Sequence, residues 1–340
     1  MSNGNTPQVQ IESVASSLPP TIVSSLALED RIRQASPGID FPSGTIERLT
    51  GVRNRRVLAD GQNVSDLAVK AGREALKRAH RTIADIGALI FSAASSDVTE
   101  PATANIVAAA LNTRCPVFDI KNACNSFINA METAEALIIA KKYRRILIVN
   151  GEAPSRVVRT AVTDMVGLRK AFAGYTLGDA GAAMILSAAD GDSGILTSTF
   201  YSAGEYWPLS AVLGGGSRYP RDLDKFYFEG ETSGLKDVFL TLAPPIVTKV
   251  LADAGWTTDD PEVIVTHQVS MKSFDLIATK LNFDQSKFVI VLPDLGNMVS
   301  ASIPVALDIA RQEGRLKPGT KVLLIGLAAG VSIAPMALIW

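Results

Sequence analysis

Cysteine and histidine are the scarce reactive side chains of this sequence, with two of each in 340 residues. Cys124 lies in FDIKNACNSF, where a short apolar run gives way to a pattern with helical spacing. A helix N-terminus stabilises a thiolate through the helix dipole, and a thiolate is a strong nucleophile. A buried, inert cysteine is the alternative, because such cysteines are common. We predict that Cys124 is a nucleophile and that Cys115, inside a strand-like run, belongs to the core.

His267 is the only good partner for a cysteine nucleophile, because His80 lies in the charged stretch KRAHRT and is predicted to be solvated. His267 ends the apolar run EVIVTH, a position where a histidine is often structural. Asn297 follows Gly296, so an ordinary turn is the alternative there. Two N–H donors directed at one oxygen would stabilise an enolate or an oxyanion. That is the chemistry we predict for His267 and Asn297.

The elements that must position these residues follow from the apolar pattern. Continuous apolar runs are typical of strands that are covered on both faces of a sheet. The predicted strands are 86–95, 115–120, 144–152, 180–189, 262–267, 287–292, 321–329 and 332–340. Helical spacing and capping residues predict helices at 65–79, 126–142, 273–281 and 300–316.

The order of these elements repeats along the chain, with a polar loop in each half that holds Cys124 in the first and Asn297 in the second. A repeat of this kind predicts an α/β fold made of two similar halves packed together. Ligands of open α/β sheets bind beyond the carboxyl ends of the strands, where Cys124, His267 and Asn297 fall. The stretch 206–234 is predicted to be a loop that either lines a substrate passage or is a solvated connection.

Composition narrows the class of protein. The net charge is −1, from 33 basic and 34 acidic residues, so we expect no nucleic-acid partner. No run of 18 uncharged apolar residues occurs, and the first ten residues lack a signal-peptide core. We therefore expect a cytoplasmic protein with no membrane partner. Two cysteines without a CxxC motif predict no disulfide framework and no zinc or redox site.

The set Cys124, His267 and Asn297, in this order, resembles the thiolase-fold condensing enzymes of the β-ketoacyl-ACP synthase III type. The resemblance covers most of the chain, and it implies a five-layered αβαβα core built from two thiolase-like halves, residues 1–188 and 189–340. Further stretches that carry it are TGVRNRRV (50–57), TLGDAGAA (176–183), THQVS (266–270), LGN (295–297) and the glycine-bearing C-terminal strand.

The family resemblance also implies roles. Cys124 would be acylated, and His267 and Asn297 would polarise the thioester carbonyl of the second substrate. The backbone N–H groups of Cys124 and Gly330 would form the oxyanion hole, and Asp179 would be a structural turn residue. No cofactor would be bound permanently and no metal would be needed. Substrates would arrive on acyl carrier protein or coenzyme A, at a homodimer.

One departure from the family concerns the donor. Initiating synthases of this type carry a Trp and an Arg just upstream of their TG(I/V)R motif, where they grip the adenine of coenzyme A. The corresponding stretch, SGTIERLTGVR, has neither at the expected positions. An acyl group supplied as a thioester of a carrier protein is therefore favoured over one supplied by coenzyme A. Lys272, five residues after His267, lies where the family often has a basic residue for the carrier, although a solvated lysine is the alternative.

A second departure is Glu100. In the family this loop reaches across the dimer to the partner's acyl tunnel, and it usually carries an aromatic or apolar residue. A glutamate here is similar to OleA-type and pyrone-forming ketosynthases, which join two acyl chains head to head. Malonyl decarboxylation generates its own carbanion, whereas ordinary acyl thioesters need a base to remove an α-proton. A carboxylate in an apolar tunnel has a raised proton affinity, which suits that task.

The alternative is that Glu100 is a solvated loop residue that caps the helix after Pro101. The apolar stretch ANIVAAAL (104–111) in that helix is predicted to be buried in a dimer interface. The leading hypothesis is a homodimeric enzyme that condenses two acyl or β-ketoacyl thioesters to a β-keto acid or an α-pyrone. An initiating synthase that uses malonyl-ACP is the second hypothesis. Acyl transfer to an alcohol or amine, and an inactive scaffold, fit the residues less well.

Overall fold

A computed structural model of the protein describes residues 7–340. The strands, numbered along the chain, are β1 (Val9–Ser17), β2 (Thr21–Ser24), β3 (Asn54–Val57), β4 (Ala88–Ser92), β5 (Val117–Ile120), β6 (Arg145–Glu152), β7 (Ala180–Ala188), β8 (Gly194–Ser198), β9 (Tyr201–Ser202), β10 (Ser210–Val212), β11 (Phe228–Gly230), β12 (Val263–Thr266), β13 (Lys321–Ala328) and β14 (Ser332–Ile339). The α-helices are α1 (Ser25–Ala35), α2 (Thr45–Thr50), α3 (Val64–Arg78), α4 (Thr103–Leu111), α5 (Ser126–Ile139), α6 (Met165–Ala171), α7 (Thr232–Asp253), α8 (Met271–Lys280), α9 (Leu292–Leu295) and α10 (Ser302–Gln312).

Two large sheets repeat one pattern of strand pairing. The first has the order β1-β7-β6-β4-β5, in which β4 and β6 are parallel and β7 is antiparallel to both β6 and β1. The second has the order β8-β14-β13-β12, in which β12 and β13 are parallel and β14 is antiparallel to both β13 and β8. The strands β4, β6, β7 and β1 thus correspond to β12, β13, β14 and β8, and the repeat read from the sequence is present in the fold.

The counterpart of β5 is not a strand, so the prediction of a strand over 287–292 is wrong. Only a single parallel bridge joins Phe288 to Ile264. Beyond it, the Gln268 side chain donates to the Val289 carbonyl at 2.7 Å and accepts from the Val291 amide at 3.1 Å. A buried side chain thus satisfies the backbone groups that a neighbouring strand would otherwise pair. The apolar pattern of a buried segment is the same whether its backbone pairs with a neighbouring strand or with a buried side chain.

The two faces of each sheet belong to different cores. In β4, Ile90 faces the core that contains α5 and α10, whereas Leu89 faces α3 and α4. In β13, Leu324 faces the core of α5 and α10, whereas Leu323 faces α7 and α8. Helices α5 and α10 therefore lie between the two sheets, with a helical layer outside each. The predicted five-layered αβαβα arrangement is present.

The longest helix, α7, is absent from the predictions. Pro244 and Pro245 lie inside it, and proline in a helix interior usually argues against a helix. The preceding stretch, predicted as a loop to 234, contains a 3-10 turn (Gly204–Leu209) and the hairpin formed by β10 and β11. None of the helices in residues 7–340 combines the length and the apolar character needed to cross a membrane.

Candidate active site

The turn that carries Cys124 joins β5 to α5. Its backbone bends at Ala123, whose φ of 45° is rare for a residue with a side chain. Ser126 closes the turn: its Oγ accepts from the Asn122 amide at 2.8 Å and donates to the Ala123 carbonyl at 2.7 Å. Cys124 is half-buried and lies two residues before the first residue of α5. The predicted position of the thiol at a helix N-terminus is thus what the structure shows.

The next residue, Asn125, ties this turn to the other half of the fold. It is fully buried, and its Nδ2 donates to the Ser332 carbonyl at 3.1 Å and to Ser332 Oγ at 2.8 Å. Gly326 in β13 makes room for it, because a Cβ there would overlap Asn125 Oδ1 and lie 2.8 Å from Ile128 Cδ1. Gly326 therefore accommodates a side chain that positions the nucleophile turn.

Gly326→Ala is expected to destabilise the protein by about 1–3 kcal/mol, because it overpacks a site with no free space. It should also slow acylation of Cys124, since Asn125 must move. The free energy of unfolding in urea and the rate of acyl adduct formation are the measurements. Gly216→Ala is the control, because a Cβ added to Gly216 would meet no other side chain or backbone within 4 Å. Wild-type stability in Gly326→Ala would contradict this account of the glycine.

The sulfur of Cys124 meets two backbone groups. Hydrogen bonds from the backbones of Ala329 and of Cys124 itself lower the pKa of the thiol, as N–H donors do. The sequence prediction for the second donor named Gly330, one residue further on. Gly330 instead has a φ of 81°, in the left-handed region, and forms the turn between β13 and β14. We therefore assign the second donor position to Ala329.

Burial dominates the ionisation of Cys124. Burial, with a smaller contribution from the charge of Glu152, raises the pKa of the thiol to about 12. The backbone hydrogen bonds oppose these effects without cancelling them. Removal of the sulfur from water thus outweighs the field of the helix terminus, which favours the thiolate. The sulfur needs a proton acceptor when it attacks a substrate.

His267 follows the last residue of β12, and its amide donates to the Ile325 carbonyl at 3.1 Å. Burial lowers the pKa of the imidazole to about 4, and a backbone hydrogen bond with Val299 opposes that effect. The ring is therefore neutral near pH 7. Within the described residues, its Nδ1 is buried without a hydrogen-bond partner. A neutral imidazole can donate one N–H and accept one proton.

Asn297 lies between α9 and a 3-10 turn (Val299–Ala301). Its backbone amide donates to the Thr176 carbonyl at 2.7 Å, and its carbonyl accepts from the Gly178 amide at 3.0 Å. Its Oδ1 accepts from the Val299 amide at 2.9 Å, which leaves Nδ2 as the group available to a ligand. Because Val299 contacts both His267 and Asn297, the structure brings the predicted donor pair together.

Glu152, the last residue of β6, also belongs to the site, although it is not among the residues predicted above. It is fully buried, and burial raises its pKa. Its oxygens accept hydrogen bonds from the Ala94 amide, the Ser95 amide and hydroxyl, and the Ser300 hydroxyl. Glu152 could have been predicted in the same way as His267, because both are polar residues at the end of an apolar strand.

Glu100 lies exposed on the loop between β4 and α4. Its exposure agrees with the alternative of a solvated loop residue, but it does not cap α4, because Asp119 accepts the amides of Thr103 and Ala104 at 2.8 Å each. In a single chain, Glu100 lies outside the buried contacts that join the other site residues. Helix α4 packs its apolar residues, Val107 among them, against α3 in the same chain, so its composition does not by itself require a dimer interface.

Lys272 is the second residue of α8 and is exposed. The first turn of α8 packs against the TGVR stretch, since a Cβ on Gly51 would lie 3.0 Å from the Cβ of Met271. Asp179, by contrast, is fully buried and accepts from the Leu58 amide at 2.8 Å and the Ser155 amide at 2.9 Å. Its hydrogen bonds are those of a structural residue.

Two family models match the chain. The model described as 3-Oxoacyl-[acyl-carrier-protein (ACP)] synthase III matches residues 118–204, and its C-terminal counterpart matches residues 251–340. A β-ketoacyl-[acyl-carrier-protein] synthase III from Rhizorhabdus wittichii is 31% identical over 86% of this chain and 89% of its own length. The chain belongs to this family. A synthase III from Rhodobacter capsulatus is 29% identical over 97% of the chain and 98% of its own length.

Solved structures show the same fold for this synthase III family member. OleA from Xanthomonas campestris superposes with a TM-score of 0.89 at 26% identity, over 98% of both chains. A 3-oxoacyl-(acyl carrier protein) synthase III from Xanthomonas oryzae superposes with a TM-score of 0.88 at 26% identity, over 98% of this chain and 99% of its own. The predicted family and fold are confirmed. The protein is a ketosynthase, an acyltransferase that makes carbon–carbon bonds by Claisen condensation.

Proposed function

We propose that this ketosynthase condenses two acyl or β-ketoacyl thioesters head to head without obligatory malonyl decarboxylation. The observation that carries the proposal is the exposed carboxyl of Glu100, which is not used to cap α4 because Asp119 takes that role. Glu152, the carboxylate that acts on Cys124, already accepts hydrogen bonds from four donors and is a poor candidate for a base. A base for an α-proton is then best supplied by Glu100.

The structures of Xanthomonas campestris OleA support this choice. They include variants in which a single glutamate, a single cysteine or a single histidine was replaced. Along that chain the order is glutamate, cysteine, histidine, which is also the order of Glu100, Cys124 and His267. We extend the correspondence to a homodimer in which Glu100 of the partner subunit serves the site of Cys124.

In the first step, Cys124 Sγ attacks the carbonyl carbon of an acyl thioester. The thiol proton passes to the neutral imidazole of His267 and then to the sulfur of the departing carrier. The amides of Cys124 and Ala329 stabilise the oxyanion. One carbon–sulfur bond forms, one breaks, and the acyl group remains on Cys124. The imidazole returns to its neutral form.

In the second step, the carbonyl oxygen of another thioester accepts a hydrogen bond from Asn297 Nδ2 and one from the single N–H of the neutral His267 ring, which it takes in place of the Val299 backbone. The partner's Glu100 removes a proton from the α-carbon, and the enolate carbon attacks the acyl group on Cys124. A carbon–carbon bond forms, and the bond to Sγ breaks. The Cys124 thiolate regains its proton from the protonated carboxyl. Hydrolysis of the resulting thioester gives a β-keto acid, and ring closure of a chain with a further keto group gives an α-pyrone.

We also propose that the acyl groups are delivered by an acyl carrier protein. The relatives carry that partner in their names. Lys272 is exposed where α8 meets the TGVR stretch, so it can pair with the phosphate or an acidic side chain of a carrier. The stretch 43–53 lacks a Trp and an Arg at the positions expected for coenzyme A binding, and Leu49 in it is exposed.

The products formed from defined acyl thioesters test this function. Given one acyl thioester and no malonyl thioester, the enzyme is expected to release products that contain the carbons of two whole chains, as read by mass spectrometry. Cys124→Ala is the matched control and should release none. If carbon–carbon bonds form only when malonyl thioester is added and CO₂ is lost, the protein is an initiating synthase. The names of its relatives favour that function as the second candidate.

A further inference from the structure

The carboxyl of Glu152 joins three segments around the nucleophile. Its Oε1 accepts from the Ala94 amide at 2.8 Å and from Ser300 Oγ, and its Oε2 accepts from the Ser95 amide at 3.0 Å and Ser95 Oγ at 2.7 Å. The residue itself ends β6, and it is fully buried. A buried carboxylate with this many donors fixes the groups around it, because each donor would otherwise lose its partner in a low-dielectric interior.

The groups that donate to Glu152 lie in two segments, one that carries Glu100 and one that contacts His267 and Asn297. Ala94 and Ser95 begin the loop between β4 and α4 that carries Glu100. Ser300 directly follows Val299, which contacts His267 and donates its amide to Asn297 Oδ1. Glu152 thus connects the start of the base's loop to the turn that orients the donor pair.

The contacts need a carboxylate in particular. Two of the donors are backbone amides, which cannot rotate to become acceptors. The Ser300 hydroxyl also accepts from Asn150 Nδ2 at 2.8 Å, so its own proton is directed at Glu152. An amide side chain in place of the carboxyl would present an NH₂ group to at least one N–H donor. Loss of the charge should therefore disturb the arrangement even when the shape is kept.

We propose that Glu152 is a positioning residue that holds the donor pair of His267 and Asn297 in register with the Glu100 loop. The part that concerns Glu100 rests on the proposed function. The part that concerns the donor pair does not, since every Claisen condensation in this family needs a stabilised carbanion at that position. The negative charge of Glu152 also acts on the Cys124 thiol, which provides a readout that is independent of Glu100.

Four variants of the full-length enzyme separate these parts. Ser300→Ala breaks the link to the donor turn and also removes an acceptor of Asn150 Nδ2, whereas Ser95→Ala weakens the link to the base's loop and removes the acceptor of the Ala153 amide. Glu152→Gln breaks both. Glu135→Gln is the matched control: Glu135 is half-buried on α5 and burial raises its pKa to about 7, but within the described residues no hydrogen bond joins it to either segment. Acylation of Cys124, condensation of two acyl thioesters, and CO₂ release from malonyl thioester are measured for each.

The two serine variants and Glu135→Gln are expected to form the acyl adduct at close to the wild-type rate. Ser300→Ala should lower both condensation and CO₂ release about 10-fold, whereas Ser95→Ala should lower condensation of acyl thioesters alone, by a similar factor. Glu152→Gln should lower both and should also lower the apparent pKa of Cys124 alkylation, because a like charge near the thiolate is gone. Glu135→Gln should change none of these.

Wild-type condensation and wild-type thiol titration in Glu152→Gln would overturn the proposal. So would a uniform loss of acylation and condensation in Ser300→Ala, since that is the signature of a purely structural residue. If Glu152→Gln does not fold, the two serine variants still decide, because each keeps the carboxylate. If Glu100→Gln condenses acyl thioesters normally while Ser300→Ala loses CO₂ release, the proposed base is wrong and the positioning of the donor pair stands.

Discussion

Asn297→Ala is expected to acylate at Cys124 normally and to lose condensation by about 100- to 1,000-fold, the usual cost of removing one donor to a developing oxyanion. His267→Ala should lose condensation to a similar degree and should also acylate slowly. The reason for the difference is the thiol: burial holds the pKa of Cys124 at about 12, so its attack needs the neutral imidazole as a proton acceptor. Asn297 has no such part in the first step.

Intact-protein mass spectrometry gives the rate of acyl adduct formation, and product analysis gives the rate of condensation. Asn297→Asp is a useful companion, because it retains an oxygen for the Val299 amide but replaces the Nδ2 donor with an acceptor. His80→Asn serves as the control histidine, since His80 is exposed and has a left-handed backbone that asparagine tolerates. Near wild-type condensation in either Asn297 variant would show that the donor pair is misassigned.

Most of the fold could be predicted because the apolar runs occur in the same order in both halves of the sequence. Strands buried on both faces, such as β6 and β13, are continuous apolar segments in the sequence, and the polar residues at their ends fall in the site. The apolar pattern gave a wrong prediction where a side chain from another segment took the place of a neighbouring strand. The segment 287–292 is apolar enough to be a strand, but Gln268 satisfies its backbone, so no strand forms there.

The sequence predicted the reactive side chains of the site. It did not predict the backbone geometry around them or the protonation state of Cys124. Cys124, His267 and Asn297 are scarce or well-placed residue types, so the sequence singles them out. Ala123 and Ala329 act through backbone geometry, and an alanine carries no sequence signal for a positive φ or for an exposed amide. The resting thiol of Cys124 depends on burial by segments that are distant in sequence, which no local pattern reports.

Glu100→Gln is expected to acylate normally and to lose condensation of acyl thioesters by about 100- to 10,000-fold, the range that a general base contributes. Glutamine keeps the shape and the hydrogen-bonding reach of the side chain but cannot take a proton. Because Glu100 is exposed in the isolated chain and the helix after it is capped by Asp119, the substitution should leave the stability of the fold unchanged. Equal unfolding midpoints for the variant and the wild type would establish that control.

A mixture of two inactive variants then tests whether the base crosses the dimer. Glu100→Gln and Cys124→Ala are combined under conditions of demonstrated subunit exchange. If the partner's Glu100 serves each Cys124, one site of every hybrid has both defects and the other has neither. With equal amounts and random pairing, half of the dimers are hybrids with one working site, so about a quarter of the wild-type activity should return. If Glu100 serves its own chain, each hybrid site keeps one defect and the mixture stays inactive. An inactive mixture would therefore rule out a base from the partner subunit, whereas recovery would require both a dimer and a site shared across it.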